Sequence, residues 1–332
     1  MGWGQEGSAN KLDTWLARVQ FPVAPPPLAL CYNTPMPQQI TLKEAAKMIP
    51  AWSTVFIGGF GSIRSCMAFS RQLIRQEKHD LHFFSSGPTV HLDLLAAGRV
   101  IKRMEVGYSG IETIGPAPNV RRRIEEKFLK VEDYTNLSMT MRLYGGALGL
   151  PFMPVKSMLG SDMEKKSNFK KLSQKMTAVE CPFTGEVVAL VPSVNPDFGI
   201  IQVQRVDEEG NVQIDDALAS DADGLKASDI KIVLAEEIVP TAQIRKDPKR
   251  TVVPGLMIDY IVKVPWGAWP TAMYNFYDYD QEHIEYYANL CRTEEGWEQY
   301  KKEWVLPSEE KIMAKIGEKK LEKLRARKTL GY

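Results

Sequence analysis

The chain has 332 residues, 44% of them hydrophobic, enough to bury one large core or two moderate ones. Its 42 basic and 41 acidic side chains leave a formal net charge of +1, which excludes the broad field that nucleic acid or an anionic membrane would answer to. No apolar run reaches the ~18 residues of a bilayer span, no signal peptide is expected, and Cys31, Cys66, Cys181 and Cys291 stand singly beside four histidines, so the composition speaks against a disulfide framework or a metal cage and for a cytoplasmic globular protein.

Met1-Gly2 is followed by Glu6 where a myristoylation motif wants Ser or Thr. Residues 1–36, including "FPVAPPPLALCYNTPM", are expected as a proline-rich extension outside the core, because proline runs hold an extended backbone. Residues 37–332 are expected as one domain. Thr41, with Glu44 three residues on, gives a capping box for a helix over "LKEAAKMI". Strands and helices then alternate: "TVFIGGF", "LHFFSS" and "RMEVGYSG" read as strands, "SIRSCMAFSRQLIRQ" and "HLDLLAAGR" as the helices between them. That alternation is the pattern of parallel βαβ units. "VRRRIEEKFLK" and "LSMTMRLYGGALG" read as helices, "FMPVKSML" as a strand, and "SDMEKKSNFKKLSQK" as a polar, mobile loop. The second half is richer in strands: "VVALVPSV", "FGIIQVQRV", "NVQIDDA", "KIVLAEEIV" and "MIDYIVKVPWG". "DEEGN" has hairpin chemistry, with Glu209 as a solvated turn residue. The tail is helical, with Ser308 as a cap and a solvated basic end.

A strand running into Gly58, Gly59 and Gly61 and then a helix is a general anion-binding device, and Arg64 adds a charge. The bland alternative is a tight turn that lets helix and sheet pack closely. No Lys-Ser or Lys-Thr follows, so it is not a P-loop, and Arg64 stands at the third glycine of a dinucleotide fingerprint. The next strand also ends in Ser85 and Ser86 rather than in an acid for a ribose.

"IGGFGSIR" followed by "MAFSRQLIR" resembles the glycine signature of the family I CoA-transferases, in the branch of the glutaconate CoA-transferase-like alpha (A-type) subunits. "AAGRVIKRMEVGYSG", "VEDYTNLSMTMRLYGGALGLPFMPV", "LGSDM", "AEEIVPTAQIRKDP" and "VPGLMIDYIVKVPWGAWPT" continue the likeness from about Thr41 to near the C-terminus. The resemblance implies an α/β fold with an open, mostly parallel sheet flanked by helices. It also implies a coenzyme A thioester as substrate, no permanently bound cofactor, and a B subunit in a heterotetramer or hetero-octamer. In that family a glutamate of the B half attacks the acyl-CoA in a ping-pong reaction. No matching glutamate motif stands in this chain, so it is expected to be the cosubunit, with Gly58, Gly59, Phe60, Gly61, Arg64, Ser85, Ser86, Gly87, Gly160, Ser161 and Trp269 on the substrate side. Each serine has ordinary turn chemistry as its alternative.

Three departures bear on the substrate. Cys66 stands where the family has proline and reads as a small packing residue, with no histidine nearby to activate it. Trp269 stands where many members have histidine; it either enlarges the apolar pocket for a bulky acyl group or simply packs. Glu112 follows a strand and is a candidate general base, against the alternative of an exposed loop acid. Related hydrolases of that fold use a glutamate of the A-type half that aligns with Asn136. Two other functions stay open: a CoA-thioester or ring-opening hydrolase on the same fold, and a non-catalytic ligand-binding or regulatory protein. The aromatic run "PWGAWPTAMYNFYDYD" lacks interleaved Lys and Arg and reads as a buried wall or subunit interface.

Overall fold

The computed structural model describes residues 36–112 and 114–327. The chain divides into two units, Met1–Pro35 and Met36–Tyr332; the expected extension over 1–36 lies, Met36 apart, outside the described residues. The described chain opens with β1 (Gln38–Gln39) and α1 (Leu42–Lys47). Thr41 Oγ1 accepts from the Glu44 N–H at 3.2 Å and the Glu44 carboxylate accepts from the Thr41 N–H at 2.8 Å, the reciprocal cap its spacing predicts.

Next come β2 (Thr54–Ile57), α2 (Met67–Arg75), β3 (Leu81–Ser85), α3 (Val90–Ala97), β4 (Ile101–Val106), α4 (Pro118–Glu125), β5 (Lys130–Asp133) and α5 (Asn136–Ala147). A three-stranded antiparallel sheet of β6 (Phe152–Val155), β7 (Thr177–Glu180) and β8 (Val187–Pro192) interrupts the alternation. The chain then returns through β9 (Phe198–Asp207), β10 (Val212–Gln213), α6 (Asp221–Ala227), β11 (Ile230–Val239), β12 (Thr251–Val253) and β13 (Tyr260–Lys263). Among the described residues the main sheet has ten strands, with the order β1-β13-β11-β9-β2-β3-β4-β5 and with β10 and β12 off that path. Every neighbouring pair along the path is parallel.

Side chains of β2 alternate between two cores, Val55 and Ile57 on one face and Phe56 on the other. A strand buried on both faces needs the unbroken apolar run that "TVFI" supplies. Phe69, Leu73, Leu92 and Leu95 cover the first face, while Met139, Leu143 and Leu225 cover the second.

Several expectations change. The helix expected from Ser62 begins at Met67, because Phe60 and Ile63 bridge each other, Arg64 takes φ +51°, and the Arg64 N–H donates to Ala272 O at 2.9 Å. The helix expected over 120–130 stops at Glu125, and Lys130–Asp133 becomes the outermost parallel strand. Only Val212–Gln213 of "NVQIDDA" is strand. The segment expected as mobile is tethered: Glu132 accepts from Ser167 Oγ and the Asn168 N–H, both at 2.9 Å, and pairs with Lys175, while Lys170 pairs with Glu105. Gly210, at φ +88°, turns the β9–β10 hairpin, and Glu209 pairs loosely with Arg245 at 3.6 Å, as a solvated turn residue should.

Candidate active site

Parallel strands that share one sheet direction release their following loops at one edge. The loop after β2 brings Phe60, the loop after β3 brings Gly87, the loop after β4 brings Tyr108 and Glu112, and the junction of β5 with α5 brings Asn136. These five residues line a cleft of about 430 Å³. The cleft depends on glycine at two points. A β-carbon on Gly87 would stand 2.6 Å from the Phe60 ring, and one on Gly61, whose φ is +57°, would stand 2.6 Å from the Glu112 carboxylate. Gly61 and Gly87 are also joined by an N–H···O bond of 3.0 Å, and Thr89 Oγ1 donates to Gly61 O at 2.5 Å. The glycines therefore let two strand-end loops touch.

The turn is not the anion cradle that its sequence suggests. The N–H groups of Gly58, Gly59, Phe60 and Gly61 donate to Ile200 O, Asp221 Oδ1, Ile63 O and Gly87 O, so none of the four is free. Arg64 is fully buried, its guanidinium held by Asp216, Asp221 and Ala217 O. A buried cation answered by two carboxylates and a carbonyl is a structural strap, with no donor aimed at a ligand.

Other expected residues lie away from the cleft's lining. Ser85 and Ser86 are buried, and Ser86 Oγ shares a 2.7 Å hydrogen bond with Ser220 Oγ. Gly160 and Ser161 follow β6, which belongs to the antiparallel sheet and so shares no carboxyl edge with β2–β5. There the Gly160 N–H donates to Glu164 and Ser161 Oγ to Met158 O, both at 2.6 Å. Trp269 is buried, its indole N–H 3.3 Å from Asp280 and its ring 4.3 Å from that of His283; it packs. Glu112, by contrast, stands exposed in the cleft beside Asn136.

Sequence reasoning missed Tyr108, Asp221 and Glu236. Glu236 is buried and accepts from Tyr277 OH, the Trp266 N–H, the Gly267 N–H and Gln202 Nε2. Burial pushes its carboxyl up to about 7, against the four hydrogen bonds that favour the ionised form. The loop it pins backs α2: Gly267 O accepts from the Ala68 N–H and Thr271 Oγ1 from the Ser65 N–H. Cys66 is buried with Sγ 3.7 Å from Gly58 O, and burial pushes its thiol well up, which suits a packing residue and not a nucleophile.

The family model described as coenzyme A transferase matches residues 40–264. An uncharacterized protein of Archaeoglobus fulgidus is 37% identical over 81% of the chain; the match covers 60% of that relative's length. The A subunit of glutaconate CoA-transferase from Acidaminococcus fermentans is 31% identical over 90% of the chain and 97% of its own. A crystal structure of glutaconate coenzyme A-transferase from that organism superposes with a TM-score of 0.84 over 88% of the chain and 97% of its own. The cholesterol ring-cleaving hydrolase IpdA subunit of Rhodococcus jostii is 25% identical over 84% of the chain and 95% of its own.

Proposed function

Because this chain belongs to the coenzyme A transferase family, we propose that it is the A-type half of a heteromeric CoA-transferase, moving CoA from an organic-acid thioester to an acceptor carboxylate with a B-type partner. The observation that carries the reading is the cleft itself: acyl-sized, at the carboxyl edge of four adjacent parallel strands, and walled by Phe60, Gly87, Tyr108, Glu112 and Asn136. Residues 37–332 form its catalytic-fold domain, and 1–36 an extension to it. The coenzyme A thioester is a substrate, with no permanently bound group required.

The chemistry proceeds through a glutamate carboxylate of the partner. It attacks the thioester carbonyl and expels CoA thiolate, forming a mixed anhydride. The thiolate then attacks the glutamyl carbonyl, releasing the first acid and leaving a glutamyl-CoA thioester that the acceptor acid opens by the same steps reversed. This chain's contribution is to shape the acyl cleft and exclude water. Asn136 and Tyr108 are its polar side chains able to donate to a carbonyl oxygen.

One observation favours a second reading. Glu112 stands beside Asn136 in the cleft, where its carboxylate could activate water for hydrolysis of a CoA thioester. Co-expression with a B-type partner, a CoA-exchange assay over several acyl-CoAs, and borohydride trapping followed by mass spectrometry separate the two. Exchange only in the complex, with the reduced glutamate on the partner, supports transfer. Net hydrolysis without a trapped thioester supports the second reading, and a trapped Glu112 would move the nucleophile into this chain.

A further inference from the structure

Resting on the transferase reading, we propose that Glu112 selects the acyl group: the cleft accepts acyl chains with an uncharged far end and rejects those that carry a second carboxylate. Glu112 is exposed in the cleft, pressed over the Gly61 backbone so closely that a β-carbon there would meet its two carboxylate oxygens at 2.6 and 2.9 Å. Among the described residues it has no hydrogen-bond or ion-pair partner. The rest of the described lining is two aromatic rings, a glycine and the Asn136 amide, with no cation. Arg64, on the same turn as Gly61, is spent on Asp216 and Asp221 and sealed from solvent.

An anion-recognising cleft needs a cation or convergent N–H donors. Here the N–H groups of Gly58, Gly59, Phe60 and Gly61 go to protein acceptors, and among the described residues the one charge lining the cleft is negative. A dicarboxylic acyl group would bring its free end against Glu112 in a site that substrate binding dries, where like charges repel far more than in water. An apolar chain can instead pack on Phe60 and Tyr108. A chain ending in a hydroxyl can donate to the Glu112 carboxylate, supplying the partner it lacks.

The test uses the complex with the B-type partner and three acyl-CoAs of equal carbon count: valeryl-CoA, 5-hydroxyvaleryl-CoA and glutaryl-CoA. The native complex should rank glutaryl-CoA last. Glu112→Gln should raise the glutaryl-to-valeryl ratio of kcat/KM by about tenfold or more, through KM, while Glu125→Gln on the surface of α4 leaves that ratio alone. A native preference for glutaryl-CoA, or a ratio that Glu112→Gln does not move, overturns the assignment. So does a loss of kcat shared by all three substrates, which would mark a group that moves a proton or attacks. A native complex that transfers CoA to no acid at all overturns the transferase reading instead, and this one with it.

Discussion

Gly59 shows what the glycines are for at the scale of one residue. Its φ is +106°, and a β-carbon there would stand 2.7 Å from Ser65 Cα and 2.9 Å from Ser65 N, backbone atoms that cannot step aside. Gly59→Ala should therefore cost about 2–4 kcal/mol, read as a fall in Tm by circular dichroism. Arg64 makes the complementary case. Arg64→Met leaves the Asp221 and Asp216 carboxylates facing each other without their cation, and should cost about 3–5 kcal/mol. If Arg64 instead gripped a phosphate, its loss would raise KM for acyl-CoA and leave Tm near the native value. The glycines and the arginine are plain in "IGGFGSIR". That their donors are already used is not, because the acceptors Ile200 O, Asp216 and Asp221 come from a distant part of the chain.

At the scale of elements, two buried carboxylates hold segments with little regular structure, the first carrying only the helical turns Asp162–Lys165 and Leu172–Lys175. Glu132 on β5 gathers Ser167, Asn168, Phe169 and Lys175. The segment 161–175, so rich in lysine, reads as a loose loop because charge density alone cannot show a single carboxylate answering several groups. Glu132→Gln should speed trypsin cleavage between Lys165 and Lys175 severalfold, seen by mass mapping before global unfolding. Glu236 does the same for the loop after β13, and its titration sets a pH dependence. Its carboxyl is raised from the ordinary 4.5 to about 7 by burial, so the stability it confers is complete below about pH 4.5 and is lost as pH rises through 7. The Tm of the native protein minus that of Glu236→Gln, whose amide does not titrate, should fall between pH 5 and pH 8. Capping is easier to read: Thr41 with Glu44, and Ser308 accepting from the Lys311 N–H, act over three residues and keep their partners within one turn.

At the scale of the molecule, the parallel order β9-β2-β3-β4-β5 decides where chemistry can happen. It collects one or two residues from each of four loops and leaves Trp269, Gly160 and Ser161 out, although the sequence makes them equal candidates. A chain beginning at Met36 should keep the cooperative unfolding of the full chain in differential scanning calorimetry, because β1 pairs with β13 from Gln38 and the α1 cap starts at Thr41. A broadened or split transition would show that residues 1–35 belong to the core. The alternating apolar runs, the helix caps and the glycine signature are local in sequence, and so by itself the sequence determined the βαβ architecture and the family likeness. What only the tertiary structure decided was which polar groups are satisfied and which are free. Hydrogen bonds and ion pairs between distant strand ends sealed Arg64 and the N–H groups of Gly58, Gly59, Phe60 and Gly61, and among the described residues left Glu112 in the cleft without a partner.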